Sequence, residues 1–232
     1  MGFKLVNKVA IVIFLTCGTA QAALHDRGGG LIYDDVLKIT WLKDANHVKT
    51  SGYDADGIIT WERAMTWAAN LSYYDSVRNV TYDDWRLPAV TPVNGSTFNY
   101  MYSPAGNADK GLNITSPHSE LSYMYYVNLG NKGYVDIFGN GPQTGFGLTN
   151  TGPFQNMKSS VYWSGTMYAP GTNDVWGFEN VIGAQSNYGK VTGSYAWAVR
   201  PGDVAAVPEP QTWAMMIAGF GLVGWMMRRR AL

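Results

Sequence analysis

The 232-residue chain has a single cysteine, Cys17. It falls inside the first 22 residues, where Lys4 and Lys8 precede an apolar run from Val9 to Thr16, followed by the small-x-small site Ala20-Gln21-Ala22. That order is the pattern of a secretory signal peptide over residues 1–22, and the run is too short to span a bilayer comfortably. A lipid anchor on Cys17 is disfavoured, because Phe14-Leu15-Thr16 lacks the small residue expected beside such a cysteine. Beyond residue 22 no thiol remains, so disulfides, thiol nucleophiles and cysteine metal sites are excluded, although the expected compartment would permit disulfides.

Charge is also scarce, at 15% of residues. The formal net charge of zero hides a segregation, because five basic residues and one acidic residue lie near the ends. The central part keeps 12 basic and 16 acidic side chains, a net of −4. No basic stripe is present, which argues against nucleic acid and against tight binding of a polyanion. Histidine is limited to His25, His47 and His118, with no ligand spacing among them. No nucleophile–base pairing and no cofactor loop appears, so the sequence reads as non-enzymatic, with no cofactor. No repeat recurs at a fixed period.

Aromatics and glycine are plentiful instead: nine Trp, 15 Tyr and 27 Gly. The residues between the ends suit one domain, 23–204, folded by packing alone. Leu31-Ile32-Tyr33 and Leu37 to Leu42 read as strands around the turn Asp34-Asp35. "TWERAMTWAANL" predicts a helix capped by Thr60, with Glu62 at its positive end and Trp61, Ala64, Met65, Ala68 and Leu71 facing the core. "SPHSELSYMYYVNLGN" predicts a second helix, with Ser116 as cap, Pro117 in the first turn and Gly130 at its end. Residues 91–116 read as a long loop or insertion. The later segments "SSVYWSGTMY", "DVWGFENVIG", "QSNYGKVTG" and "YAWAVRPGD" read as strands, the last with Tyr195, Trp197 and Val199 on one face. Two helices followed by a β-rich half make an α+β domain.

Four segments, "LIYDDVLKITWLKDAN", "TWERAMTWAANL…DDWRLP", "SVYWSG" and "YAWAVRPG", together resemble the Lcl C-terminal-domain-like family over roughly residues 26–203. The resemblance implies a C-type-lectin-like fold with two helices and a looped, mixed or antiparallel sheet. It also implies a glycan-binding role; the sulfated ligand of a founding member does not carry over to this acidic domain.

The C-terminus resembles a PEP-CTERM sorting signal. Pro208, Glu209 and Pro210 precede an apolar run from Thr212 to Met227, closed by Arg228, Arg229 and Arg230. The resemblance implies an exosortase-type transpeptidase as partner and transient residence in the inner membrane. The 16-residue run would make about 24 Å of helix, short of a bilayer core near 30 Å. Trp213 and Trp225 suit the interfaces, and the arginines hold the cytoplasmic side. A permanent anchor would have no need of Pro-Glu-Pro outside the membrane. The expected parts are thus a linker over 205–211, a transmembrane sorting helix over 212–227 and a basic tail over 228–232.

Candidate ligand residues gather late in the domain. Asn173, Asp174, Glu179, Asn180 and Asn187 offer oxygen ligands or sugar hydrogen bonds, and Trp176 a ring for stacking. The competing reading is a core Trp among ordinary turn residues. "GYDADGIITWER" invites comparison with a calcium loop, since Asp54, Asp56 and Gly57 fit. However, Gly52 and Arg63 stand where the first Asp and the bidentate Glu belong, which disfavours calcium. Asp84, Trp85 and Arg86 read as structural, a buried Trp beside an Arg–carboxylate pair. Matches to Asn-x-Ser/Thr at Asn70, Asn79, Asn94 and Asn113 carry little weight beside a bacterial sorting tail. The preferred expectation is an exported, non-catalytic surface or exopolysaccharide-matrix protein that binds glycan. The alternatives are a matrix protein without a ligand and an unrecognised enzyme on the same fold.

Overall fold

The computed structural model describes residues 24–204. The expected signal peptide, Pro-Glu-Pro linker, sorting helix and arginine tail lie outside the described residues. Among the described residues, no helix is long and apolar enough to cross a membrane.

The chain opens with β1 (Leu24–Asp26), β2 (Leu31–Asp34) and β3 (Ile39–Leu42), then the short helices α1 (His47–Thr50) and α2 (Trp61–Ala69). A hairpin follows, β4 (Tyr73–Asp75) with β5 (Val80–Tyr82). After it come β6 (Tyr102–Ser103), β7 (Lys110–Gly111) and α3 (Glu120–Tyr123), which runs into a π-helical turn over Met124–Asn128. The last strands are β8 (Val161–Met167), β9 (Asp174–Glu179), β10 (Ala184–Gly189) and β11 (Val199–Pro201). Most of the regular structure is strand, so the domain is a sheet-rich α+β arrangement.

Two main sheets form. One has the antiparallel order β1-β2-β3-β11, which brings the first and last described strands into the same sheet. The other has the order β6-β7-β10-β9-β8, antiparallel except between β6 and β7. The main core is aromatic. Trp41, Trp163 and Trp197 are fully buried, with Trp41 and Phe154 packed 4.5 Å and 4.7 Å from the Trp197 ring. Two of the three indole N–H groups donate to main-chain carbonyls, Trp163 to Ile59 and Trp197 to Leu42, whereas buried Trp41 Nε1 has no hydrogen-bond partner.

Several sequence expectations need correction. The second helix starts at Glu120 with Ser119 at its N-cap, not at Ser116 and Pro117. Its start is fixed by tertiary pairing: the Glu120 amide donates to Ala89, and its carboxylate accepts from Arg86 and the Ala89 amide. Ser116 and Pro117 form the preceding turn, with Ser119 N–H on the Ser116 carbonyl. Leu121, Met124, Tyr125 and Leu129 are buried as expected, and Gly130 has φ +65 at the helix end. On α2, Thr60 stands at the N-cap but makes no side-chain cap bond, and Trp67 is buried while Trp61 and Met65 are only half-buried. "YAWAVR" is not an alternating strand. Ala196 and Ala198 are as buried as Trp197 and Val199, and pairing with β3 begins only at Val199. "DDWRLP" forms no strand either; Arg86 alone bridges Val199 through both main-chain bonds.

Candidate functional site

Of the six late residues singled out in the sequence, three come together. Asp174 opens β9, Asn173 precedes it, and Asn187 lies on β10 opposite Trp176. The Asn187 amide donates to Asp174 Oδ2 at 2.8 Å and accepts from Lys110 Nζ at 2.7 Å. Glu179 sits at the far end of β9, about 16 Å away at about 3.3 Å per residue. Its carboxylate accepts from the Tyr188 hydroxyl at 3.4 Å. Asn180 is buried, its side chain donating to the Lys158 carbonyl at 3.0 Å. The structure thus splits the group into two ends of one strand pair.

Trp176 is the main correction. Its side chain is 0% exposed, so it presents no ring face to a sugar. Phe98 and Tyr100 stack on it at 5.7 Å and 6.1 Å between ring centres, and Tyr168 meets it edge-on at 4.9 Å. Phe98 and Tyr100 come from the 91–116 segment, which was expected to be a loop. Strand alternation puts Trp176 and Phe178 on one face of β9. That face is covered by the 91–116 segment and by the α3 region, through Tyr125 against Phe178. Trp176 Nε1 has no hydrogen-bond partner there.

Two open clefts flank the ends of α2. At its N-terminal end a cleft of about 290 Å³ is lined by Glu62, Asn173, Asp174, Gly189, Lys190 and Val191. Lys190 Nζ donates to the Thr172 carbonyl at 2.9 Å and lies 5.4 Å from the centre of the Trp61 ring. Asn173 and Asp174 therefore do border a cleft, but a charged one in which Lys190 and Asp174 already have partners in the domain.

At the C-terminal end of α2, a cleft of about 300 Å³ is lined chiefly by Ser51, Tyr53, Thr66, Trp67, Asn70 and Ser72. None of its lining residues is charged. Tyr53 is 42% exposed and Trp67 only 4%. Sequence reasoning missed this set. Tyr53 was absorbed into the calcium comparison, and Trp67 lies off the helical stripe assigned to the core.

The "SGYDADG" segment is tied up locally. Asp54 pairs with Arg63 at 2.9 Å and accepts the Asp56 amide, and Asp56 accepts the Ile58 amide at 2.8 Å. Gly57 has φ +81, as the turn requires. Among the described residues, no group of three or more His, Cys, Asp or Glu side chains is placed to hold a metal ion. His25 meets Asp35, His118 meets Thr91, and His47 meets Thr50 and Asp44.

The most perturbed carboxyl is structural. Burial would push the Asp44 pKa up, but donors from His47, Thr50, Asn156 and the Asn46 amide outweigh it and hold it well below the usual carboxylate range. These bonds tie α1 to the 155–156 segment. Arg86 grips Glu120 with two bonds of 2.8 Å and 2.7 Å, while Arg200 grips Asp84 at 2.7 Å and 3.0 Å. Trp85 is buried between these pairs in sequence, as expected of a structural motif.

Comparison with known proteins gives one match. Residues 206–230 match the PEP-CTERM protein-sorting motif, which covers Pro208, Glu209, Pro210 and the three arginines. No curated protein matches the chain. No solved structure matches it. The resemblance of residues 26–203 to the Lcl C-terminal-domain-like family, and with it a C-type-lectin-like fold, has no support from these comparisons. The motif marks the chain as an exosortase-sorted, exported surface protein, with a C-terminal signal that is membrane-anchored before sorting.

Proposed function

We propose that the domain over residues 24–204 is a non-catalytic binding module, delivered to the cell surface or its polysaccharide matrix, where it holds a glycan or another matrix component. The observation that carries this reading is the sorting motif at 206–230, since an exported surface domain meets the cell's surface polymers. The two clefts at the ends of α2 support it, since both are open and lined by hydrogen-bonding side chains beside aromatic rings. The exosortase-type transpeptidase acts on the tail. The domain itself keeps the acidic, aromatic-rich character that suits neutral polymers better than polyanions.

The test is a pull-down of the host's own exopolysaccharide with the purified chain, together with a glycan array. Retention on the polysaccharide supports the reading. Absence of binding at low and high salt, with and without calcium, contradicts it.

A second reading, a matrix protein without a specific ligand, draws on one observation. Trp176, Asn180, Asn187 and Asp174 are all engaged inside the fold. It predicts no saturable binding to any glycan.

A further inference from the structure

The cleft at the C-terminal end of α2 differs from its surroundings in chemistry. Its lining is hydroxyl, amide and aromatic, without a carboxylate, ammonium or guanidinium group. Asp54 and Arg63 stand near its Tyr53 wall, but they neutralise one another at 2.9 Å, and neither lines the cleft. The Arg63 guanidinium lies 5.6 Å from the centre of the Tyr53 ring, which braces that side chain. Asn70 is fixed as well: its amide N–H donates to the Thr66 carbonyl at 2.8 Å. That bond leaves the amide oxygen as a positioned acceptor. The Tyr53, Thr66 and Ser72 hydroxyls make no hydrogen bond to any described residue, so each has donor and acceptor capacity for a ligand. Trp67 and Leu71 form an apolar floor that stays nearly buried. The volume, about 300 Å³, is at the lower end of the range of about 300–1,000 Å³ for small-molecule sites.

We propose that this cleft is a seat for an uncharged sugar ring, with Tyr53 as its aromatic wall and Thr66, Asn70 and Ser72 as its hydrogen-bonding groups. A ring of this kind offers hydroxyls at its edge and C–H groups on its face. The cleft answers the first with neutral hydroxyl and amide groups, and the second with an aromatic surface. A uronic or sulfated sugar would bring a charge that meets no cation in the lining, and would lose its hydration without compensation. The inference rests on the glycan-binding reading above and names the sugar class and the residues.

The experiment is saturation-transfer NMR and calorimetry on the chain purified from its host. Glucose, galactose and mannose and their short oligomers would be compared with glucuronate. Binding is expected for at least one neutral sugar, unchanged between low and high salt and unaffected by a chelator, because no ion pair or metal is involved. Tyr53→Ala is expected to weaken it by about tenfold or more, and Thr66→Val by several-fold, at unchanged folding by circular dichroism. Asn173→Ala, in the charged cleft at the other end of α2, leaves it unchanged. The proposal is overturned if glucuronate competes equally, or if salt abolishes binding. It is equally overturned, with the broader reading intact, if the chain binds glycan but Tyr53→Ala and Thr66→Val bind as the parent does. Absence of binding to every one of these sugars overturns the proposal, and the exopolysaccharide pull-down then decides the broader reading.

Discussion

At the scale of single residues, burial decides more than residue type. Trp176 was attractive in the sequence because Trp stacks on sugars and Asn and Asp surround it. The structure buries it under Phe98 and Tyr100, which lie more than 70 positions away in the chain. No local pattern could reveal that cover. Trp176→Ala should therefore act on stability, lowering it by about 3–5 kcal/mol in chemical denaturation while sugar affinity stays unchanged. Tyr53 makes the opposite case, a residue whose local context pointed to a loop and whose exposure makes it available. Tyrosines that are wholly or partly buried add a pH prediction. Burial raises Tyr126 from the ordinary 10.0 to about 12, and moves Tyr125, Tyr162 and Tyr188 upward as well. A raised folded pKa favours the neutral form in the fold. The stabilisation is complete below the unfolded pKa near 10 and is lost as pH rises through the folded values. Absorbance at the tyrosinate band should lag behind that of free tyrosine above about pH 10. It should then rise together with loss of circular dichroism at higher pH.

At the scale of elements, hydrophobic periodicity recovered what is long and lost what is short. The β2–β3 hairpin, α2 and the strands β8 and β9 were legible because they carry apolar runs or helically spaced apolar residues, while β10, AQSNYG, was legible from the turns around it. The two-residue strands β6 and β7 carry no period at all, so residues 91–116 read as loop. Most of them are loop, as read, but two short strands join the five-stranded sheet beside β10 and the rings Phe98 and Tyr100 close over Trp176. Gly111 permits the close β6–β7 contact of that attachment. It sits at φ +133, and a Cβ there would collide with the Ser103 main chain across the β6–β7 pair. Gly111→Ala should loosen this attachment without unfolding the core. The expected readout is stronger acrylamide quenching of tryptophan fluorescence and faster amide exchange at residues 98–112, with little change in exchange of β2 and β3. The start of α3 shows the same limit of local rules. Ser116-Pro117 is a good helix opening by itself, yet the Arg86–Glu120 pair and Ala89 set the start at Glu120. Glu120→Ala should cost about 2–3 kcal/mol, since it strips Arg86 and the Ala89 amide of their acceptor together.

At the scale of the whole molecule, only a short stretch of sequence separates the folded domain from the sorting motif. The first and last described strands share a sheet, and Arg27 clamps Asp203 with bonds of 2.9 Å and 2.6 Å. Val204 is buried in the main core, and the Gly202 amide donates to Lys38 at 2.8 Å. Pro208 follows Val204 by four residues, which at about 3.3–3.6 Å per residue is at most about 14 Å of chain. A processing enzyme acting at Pro-Glu-Pro thus has at most that length of chain between its site and a residue fixed in the core. A flexible spacer of about ten Gly and Ser residues inserted after Val204 should speed tail removal in pulse-chase, without altering the domain's unfolding midpoint.

The tail is a sorting signal that delivers the domain to the surface. The most direct test is the intact mass of the protein recovered from its host after cell fractionation. The expected result is a surface or matrix form lacking the apolar run and Arg228, Arg229 and Arg230, and retention of the full tail when Pro208, Glu209 and Pro210 are replaced by Ala. A native surface form that retains every residue through Leu232 would contradict it.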